Sequence, residues 1–480
     1  MNPDNPPNDV NVNEKINSNA HVDFVTPSII LFIDSILVSV GGWLYWIVLS
    51  RLAIASEIGL AVTVYSLVIL LTTLAQLGIE YPLLKKANLA RSPILGTSIA
   101  IELIITVAAI PIVVTVINNL YNETLHDYVW ISIVLLLMLG IEFVARFGLL
   151  GTSNSKSVLI FDLVGLAIKL PIGFYLVSLS YGSLGILIAY LVEGLFITFA
   201  SLLVLKKSVS YRLGNITFFK ETIKDALINS PAKWSKMVIV TVSIVLLAYL
   251  NINASDIGVF YVVLMISLVV ASFATSMAYM VIPHSTTLQK DLSSASLRIS
   301  LSLTAPLVVA LLVIPRSILS LIGSEYESAE TVLFILGLAI IPSSITVNMI
   351  SKLNNTGKSK LLIASGVLQT AIFFISFFML VPNYQTIGAA TSILLAYLGA
   401  SVLLISTNHG SSRSIIYPCL SVPTGYVMGY IMSTIMGIEQ DLVILISSIA
   451  VSIGVILVTK SMTIKETGML LRSILQKKQI

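Results

Sequence analysis

The sequence Ala-Ser-Glu-Ile-Gly at residues 55–59 returns 199 positions later as Ala-Ser-Asp-Ile-Gly at residues 254–258. Each copy opens a long apolar run, and a proline follows at the far end of each run, Pro82 in the first copy and Pro283 in the second. Two distant parts of the chain therefore begin and end an apolar stretch of similar length in the same way.

Two further matches keep nearly the same offset. Residues 181–185 correspond to residues 384–388 at an offset of 203, and the Lys-Ser pair at 156–157 returns at 358–359 at an offset of 202. Three matches at nearly one offset indicate an internal repeat of a whole structural unit.

The composition is that of a membrane protein. Hydrophobic residues make up 56% of the 480 residues and charged residues only 10%, against about 25% charged in an average soluble protein. A helix that spans a bilayer needs about 20 mostly apolar residues, and the chain alternates apolar runs of that length with short polar breaks. We predict 14 spans, near 27–50, 57–81, 94–118, 128–151, 158–180, 183–205, 232–250, 256–283, 296–322, 329–350, 360–381, 387–406, 414–436 and 441–459.

The repeat predicts an all-α polytopic fold with two lobes. Spans 1–6 and 7–12 are the two copies, and because six is an even number both copies enter from the same side, as parallel repeats around an axis along the membrane normal. Such a pair is expected to hold its ligand between the lobes. The predicted organisation is a disordered cytoplasmic tail (1–26), an N-lobe (27–205), a cytoplasmic interfacial linker (206–231), a C-lobe (232–406), spans 13 and 14 (407–459) and a cytoplasmic amphipathic tail (460–480).

Lysine and arginine residues predict the orientation, because cytoplasmic loops carry their excess. With the N-terminus inside, 21 of the 27 basic residues fall in inside segments, two (Arg51 and Arg316) fall outside, and four lie within spans. This distribution supports the helix count and predicts cytoplasmic N- and C-termini in the cell (plasma or inner) membrane.

Ionisable side chains inside spans are functional candidates, because charged groups enter hydrocarbon only at a cost of several kcal/mol. Within the spans they concentrate in the first copy of the repeat, whereas spans 8 to 14 carry none away from their ends. At a rise of about 1.5 Å per residue, Asp34, Glu102 and Glu142 fall roughly 10–12 Å from the cytoplasmic face, and Lys169 and Glu193 fall near the midplane. Asp162 and Arg146 lie closer to the cytoplasm.

We expect the basic residues of this set to attract an anionic phosphate, since an opposite charge offsets its desolvation. Lys169 and Arg146 would do so together with Lys236 at the inner end of span 7, while Asp34, Glu102, Glu142, Asp162 and Glu193 would bind a coupling proton or sodium ion. A structural alternative stays open, because Glu142 and Arg146 stand at i, i+4 on one helix. Lys169 and Glu193 could likewise hold spans 5 and 6 together.

Several short motifs stand at the ends of the predicted spans. They are Leu49-Ser50-Arg51-Leu52, Glu57-Ile58-Gly59, Leu74-Ala75-Gln76-Leu77-Gly78, Leu321-Ile322-Gly323-Ser324-Glu325-Tyr326 with Ala329 and Leu333, and Ile387-Gly388-Ala389-Ala390. These motifs resemble those of Wzx-type polysaccharide and lipid-linked oligosaccharide flippases, of the multidrug/oligosaccharidyl-lipid/polysaccharide exporter superfamily. The resemblance covers about residues 27–460, with one departure at Ile58, where the family often has tyrosine.

The resemblance implies a flippase that turns a glycan on an isoprenoid phosphate or diphosphate from the cytoplasmic to the outer leaflet by alternating access. It also implies that Arg51 faces the cavity mouth and receives the emerging phosphate, although Arg51 beside Trp43, Tyr45 and Trp46 also fits an interfacial aromatic belt. The expected partners are the lipid-linked glycan, membrane lipids and enzymes of glycan assembly, with the chain acting as a monomer. The alternative function is a multidrug or cation antiporter of the same superfamily.

The sequence lacks the residues that other classes of function require. Gly357-Lys358-Ser359 mimics the end of a phosphate-binding loop, but Lys352 occupies the position of the required first glycine. One cysteine, Cys419, and four scattered histidines predict neither a disulfide nor a metal site. The small net charge of +4 does not indicate nucleic acid. We therefore expect neither an enzyme nor a bound cofactor, apart from a coupling H⁺ or Na⁺.

Overall fold

The computed structural model describes residues 30, 33–87, 92–120, 126–206, 209–288, 293–356, 359–407, 412–436 and 440–461, with backbone alone for some helical segments, including 228–238 and 276–288. All regular structure in these ranges is helical. The predicted tails 1–26 and 460–480 lie outside the described residues, except for Lys460 and Ser461.

Fifteen α-helices follow one another along these ranges. In chain order they are α1 (Ile33–Ser50), α2 (Ala55–Ala75), α3 (Glu80–Lys86), α4 (Ile94–Asn119), α5 (Val129–Gly151), α6 (Ser155–Ser178), α7 (Gly182–Leu205), α8 (Ile216–Tyr249), α9 (Ala254–Leu288), α10 (Ser293–Val313), α11 (Pro315–Ser320), α12 (Glu330–Thr356), α13 (Ser359–Ser406), α14 (Ser412–Tyr430) and α15 (Asp441–Val458).

The helices confirm the predicted polytopic fold. Twelve stretches are long and apolar enough to cross a bilayer. One of them, α13, is two helices joined by a sharp turn at Gln385, where φ is 46°, and α8 ends in the further apolar segment Ile239–Tyr249. Together these give 14 crossings, as predicted, whereas α3 and α11 are short helices between crossings that the hydropathy pattern did not predict.

In both lobes the chain reverses direction between two crossings at equivalent positions of the repeat. Gly182 begins α7 with a φ of 49°, and Gln385, its counterpart at an offset of 203, has a similarly positive φ of 46°. Beyond the second turn, a Cβ on Gly388 would lie 2.7 Å from the carbonyl group of Leu380. The close approach of these backbones explains why glycine occupies this position.

The lobes meet through the motif that reveals the repeat. A Cβ added to Gly59 of α2 would overlap the carbonyl oxygen of Ala254, and a Cβ added to Gly258 of α9 would overlap the carbonyl oxygen of Ala55. The contact is reciprocal between equivalent residues, as a two-fold axis between α2 and α9 requires. The two helices therefore cross at their predicted outer ends with backbone against backbone.

The last two helices pack on the C-lobe. Gly425 and Gly429, spaced as Gly-x-x-x-Gly on α14, face Val309 and Val313 of α10, and an added Cβ would come within 2.9 Å and 2.6 Å of these valines. Small residues at this spacing let membrane helices approach closely.

The predicted linker helix is the first part of α8. Asn215 caps it by accepting a hydrogen bond from the Phe218 backbone N–H at 2.9 Å. Phe219 and Ile223 pack against the inner core of the N-lobe, and Asp225 forms an ion pair with Lys86 of α3 at 2.9 Å. The apolar face of this segment thus contacts protein at these positions.

Candidate functional site

A cavity of about 500 Å³ lies between the two lobes, lined by α1, α2, α8, α9, α12 and the second half of α13. Its described lining carries no Asp, Glu, Lys or Arg, and 11 of its 23 residues bear a hydroxyl group. Tyr65 marks its depth, because it lies ten residues into α2 and hence about 15 Å from the outer end of that helix. The cavity is therefore neutral and at the level of the membrane interior, and its mostly apolar surface is interspersed with hydroxyl groups.

Aromatic rings from α1, α2 and α7 of the N-lobe and α9 of the C-lobe cluster beside this cavity and form an aromatic wall. Tyr65 stacks on Tyr190 with ring centroids 4.1 Å apart and an interplanar angle of 28°. Tyr45 and Trp46 of α1 pack edge-on against Tyr190 and Tyr261, at 5.5 Å and 4.8 Å respectively. Tyr65 and Tyr261 also line the cavity.

This aromatic cluster differs from the interfacial belt that was one interpretation of the α1 sequence. The exposed fractions of Tyr45 and Trp46 are 0% and 2%, so both side chains are buried in the protein rather than placed at the lipid surface. Hydropathy alone does not distinguish these positions, because aromatic residues are common both in packed cores and at membrane interfaces.

Lys169 lies behind the aromatic wall. Its Nζ forms an ion pair with Glu193 Oε2 at 2.8 Å and lies 4.5 Å from the ring centroid of Tyr190 and 5.1 Å from that of Tyr45. The side chain is only 6% exposed. The negative faces of the two rings and the carboxylate together offset the loss of water around the ammonium group.

Arg146 of α5 holds two carboxylates from other helices. Its Nη2 lies 2.9 Å from Asp34 Oδ2 of α1 and 2.6 Å from Asp162 Oδ2 of α6. Both aspartates are 4% exposed at the side chain, whereas Arg146 is 31% exposed. These ion pairs join three helices, so they differ from the intrahelical pair with Glu142 that the i, i+4 spacing allowed.

The remaining candidate carboxylates extend the same region. Glu142 lies against α7: a Cβ added to Gly194 would come within 2.7 Å of Glu142 Oε2. Glu142 is therefore close to Glu193, the residue that precedes Gly194 on that helix. Glu102 of α4 is fully buried, with Oε1 3.1 Å from where a Cβ on Gly140 of α5 would lie. The N-lobe therefore brings the candidate acids and bases of α1 and α4–α7 into its interior.

The other two predicted phosphate partners lie elsewhere. Arg51, an exposed side chain just after α1, donates a hydrogen bond from Nη2 to the backbone carbonyl of Leu321 in the C-lobe. It thus joins the lobes at the same predicted outer side as Gly59 and Gly258. Lys236 lies in α8, within the segment for which the backbone alone is described.

The sequence placed the charges in the N-lobe but missed the aromatic wall and the hydroxyl lining. Tyr65, Tyr190 and Tyr261 belong to three different helices and share no motif. The sequence carries only a weak indication of this lining, because serine, threonine and tyrosine recur in the middle of spans that face the lobe interface, such as α9.

Many transporters are built from two repeat-related helical lobes and bind their ligands at the interface between the lobes. No protein-family model and no curated protein sequence matches the chain.

Solved transporter structures share this fold. The lipid II flippase MurJ in an inward closed conformation matches with a TM-score of 0.73 and 14% identity, over 93% of this chain and 100% of that chain. The MATE multidrug transporter DinF-BH, solved in complex with a ligand, matches with a TM-score of 0.57 and 14% identity, over 83% and 96%. An inward-facing MATE family transporter of the MOP superfamily matches with a TM-score of 0.60 and 13% identity, over 82% and 98%. The chain therefore shares the overall fold of these solved transporters.

Proposed function

We propose that this protein is a flippase that moves a lipid-linked oligosaccharide from the cytoplasmic to the outer leaflet by alternating access. The observation that carries the proposal is the neutral, hydroxyl-rich cavity between the lobes, which would shelter a polar headgroup from hydrocarbon. The Wzx-like motifs and the fold shared with the lipid II flippase MurJ support it.

The lobes touch at their predicted outer ends, as we expect for an inward-facing state of the proposed transport cycle. The reciprocal glycine contacts and the Arg51 hydrogen bond join the lobes at the predicted outer end, whereas the cavity lining on α9 continues to Thr275, about 21 Å along the helix from Tyr261. A headgroup would enter from the cytoplasmic side and leave after the outer contacts separate.

The proposed phosphate partners act at different stages. Arg51 and Lys236 would meet the phosphate at the outer and inner ends of the path. Arg146 and Lys169 are occupied by carboxylates in this conformation, so they would turn to the phosphate only when a proton or cation neutralises those carboxylates. This exchange would couple headgroup binding to ion binding.

The charge balance of the N-lobe supports ion coupling. Asp34, Glu142, Asp162 and Glu193 carry four negative charges when ionised, against the two positive charges of Arg146 and Lys169. A net charge of minus two in a low-dielectric interior attracts cations or protons. We propose that H⁺ or Na⁺ binds here and drives transport, with Glu102 as a further candidate.

The second candidate function is a multidrug or cation antiporter. The same excess of carboxylates favours it, and several solved structures with this fold are MATE multidrug transporters. The two functions differ in the headgroup they accept, because a cation extruder needs acidic groups in contact with its substrate.

Purified protein in liposomes distinguishes these functions. A fluorescent glycan on an isoprenoid diphosphate should become accessible to a membrane-impermeant reagent in the opposite leaflet, and efflux of a cationic dye should stay at the level of protein-free liposomes. Dye efflux without glycan movement would contradict the flippase proposal.

The cellular setting follows from the same proposal. We place the protein in the cell membrane as a multi-pass monomer with both termini in the cytoplasm, where enzymes of glycan assembly would supply its substrate.

A further inference from the structure

We infer that Tyr65 and the hydroxyl groups around it form a subsite that binds neutral sugar rings of the transported headgroup rather than its phosphate. The inference rests on the proposed transport of a lipid-linked glycan, and it names the part of that molecule that the cavity recognises. A cavity of about 500 Å³ falls within the usual range for sites that enclose a small molecule.

Packing against neighbouring side chains fixes the position of the Tyr65 ring. Tyr190 stacks on it at 4.1 Å, and Lys169 lies 4.5 Å from the ring centroid of Tyr190 while paired with Glu193 at 2.8 Å. This succession of contacts covers one face of Tyr65 and leaves its ring at the border of the cavity. The face of an aromatic ring carries partial negative charge, which suits the C–H face of a pyranose ring.

Four of the lining hydroxyls are arranged as hydrogen-bond acceptors. Ser39, Ser272, Thr275 and Ser343 each donate their hydroxyl proton to a backbone carbonyl three or four residues earlier on the same helix, at 2.7–3.2 Å. A hydroxyl whose proton is engaged in this way presents oxygen lone pairs to the cavity. Sugar hydroxyls can donate to these oxygens, whereas an ionised phosphate has only acceptors and gains nothing from them.

The same lining disfavours an organic cation. The described lining carries no carboxylate, and Glu193 is engaged by Lys169 behind the aromatic wall. A cation in the cavity would meet the ring faces of Tyr65 and Tyr261, but it would lose its hydration without a counter-charge in contact with it. A neutral polyol carries no such cost, because its hydroxyl groups exchange water for the lining oxygens.

The test compares two ligands on full-length protein in lipid nanodiscs: a short-chain isoprenoid diphosphate bearing a disaccharide, and the same diphosphate without sugar. We expect wild-type protein to bind the sugar-bearing carrier about tenfold more tightly. Tyr65→Leu should reduce this preference fivefold to tenfold, in keeping with the energy of one aromatic contact, while Tyr65→Phe, which keeps the ring, should stay within about twofold of wild type.

Ser343→Ala provides a second, milder variant in case Tyr65→Leu fails to fold. It removes one lining acceptor, and we expect a twofold to threefold loss of the sugar preference with unchanged binding of the sugar-free carrier. Gel filtration and thermal melting establish that each variant is folded before its affinities are compared.

The outcomes separate the subsite from the proposed function. Equal binding of both carriers by wild type, or a sugar preference that survives in Tyr65→Leu, overturns the subsite even if liposomes show glycan translocation. A Tyr65-dependent sugar preference in a protein that moves no glycan supports the subsite and overturns the flippase proposal. Tight binding of a cationic dye without any sugar preference overturns both.

Discussion

At the level of single residues, Lys169 is held by contacts on several sides. It is buried, ion-paired with Glu193 and enclosed by the rings of Tyr45 and Tyr190. Removing one partner of a buried pair leaves an uncompensated charge, which typically costs about 3–5 kcal/mol, whereas replacing both partners is often close to neutral.

We therefore expect Lys169→Met to lower the melting temperature in detergent and to abolish glycan translocation. The double variant Lys169→Met/Glu193→Gln should recover most of the stability but not the transport, because the ion pair is proposed to act in coupling. Transport at the wild-type rate by the folded double variant would remove this pair from the mechanism.

Arg146 tests whether the geometry of a guanidinium group matters. One nitrogen of Arg146, Nη2, contacts both Asp34 and Asp162, and the ammonium of lysine ends one bond closer to the backbone, so from the same position on α5 it would not reach both carboxylates. Arg146→Lys should therefore retain less than about a tenth of wild-type transport while remaining folded. A fully active lysine variant would show that positive charge alone suffices.

Among the elements, α2 and α9 meet at the predicted outer side. A side chain at Gly59 or Gly258 would overlap the backbone of the opposite helix, so the outer ends of the two helices could no longer touch. In the proposed alternating-access cycle, these helices would meet in one state and separate in another.

Gly59→Val should shift the protein towards an outward-open state. In a Cys419→Ser background, a cysteine introduced at Ile257 on α9, which is fully buried, should react faster with a membrane-impermeant maleimide when Gly59→Val is also present. Gly42→Ala is the matched control, since nothing lies within 4 Å of an added Cβ at that site. Equal labelling of the Gly59→Val and Gly42→Ala proteins would show that the glycine contact does not govern access of the maleimide to residue 257.

For the molecule as a whole, the unequal charge of its two lobes predicts an ion-driven cycle. Four of the five candidate carboxylates gather around two basic residues in the N-lobe, while the middle of C-lobe spans 8 to 12 bears no charged residue. Glycan translocation in liposomes should therefore increase severalfold with an imposed proton or sodium gradient and should fall when an ionophore removes that gradient. A rate that ignores both gradients would contradict ion coupling.

The orientation of the whole chain is testable separately. Because 21 basic residues fall on the predicted inside and two on the outside, single cysteines placed in alternate loops should label from the cytoplasm and from the exterior in turn. Labelling of residue 15 from outside intact cells would reverse the assignment.

The number of crossings, the repeat and the concentration of charge in the N-lobe were all predictable from the sequence. Each is a local or periodic property: a span needs a run of apolar residues, and a charge inside such a run stands out because hydrocarbon excludes it. The ASEIG and ASDIG segments revealed the repeat, and the structure adds that the helices they open meet at the axis, where both glycines allow close backbone approach.

Only the tertiary structure decided which partner each charge takes and which rings face the cavity. Arg146 could have paired with Glu142 on its own helix, yet it contacts Asp34, 112 residues away, and the aromatic wall unites four helices. In a membrane the buried and lipid-facing sides of a helix are both apolar, so hydropathy does not reveal how each helix is rotated. That rotation is set by packing between helices, and with it the neutral, hydroxyl-lined cavity.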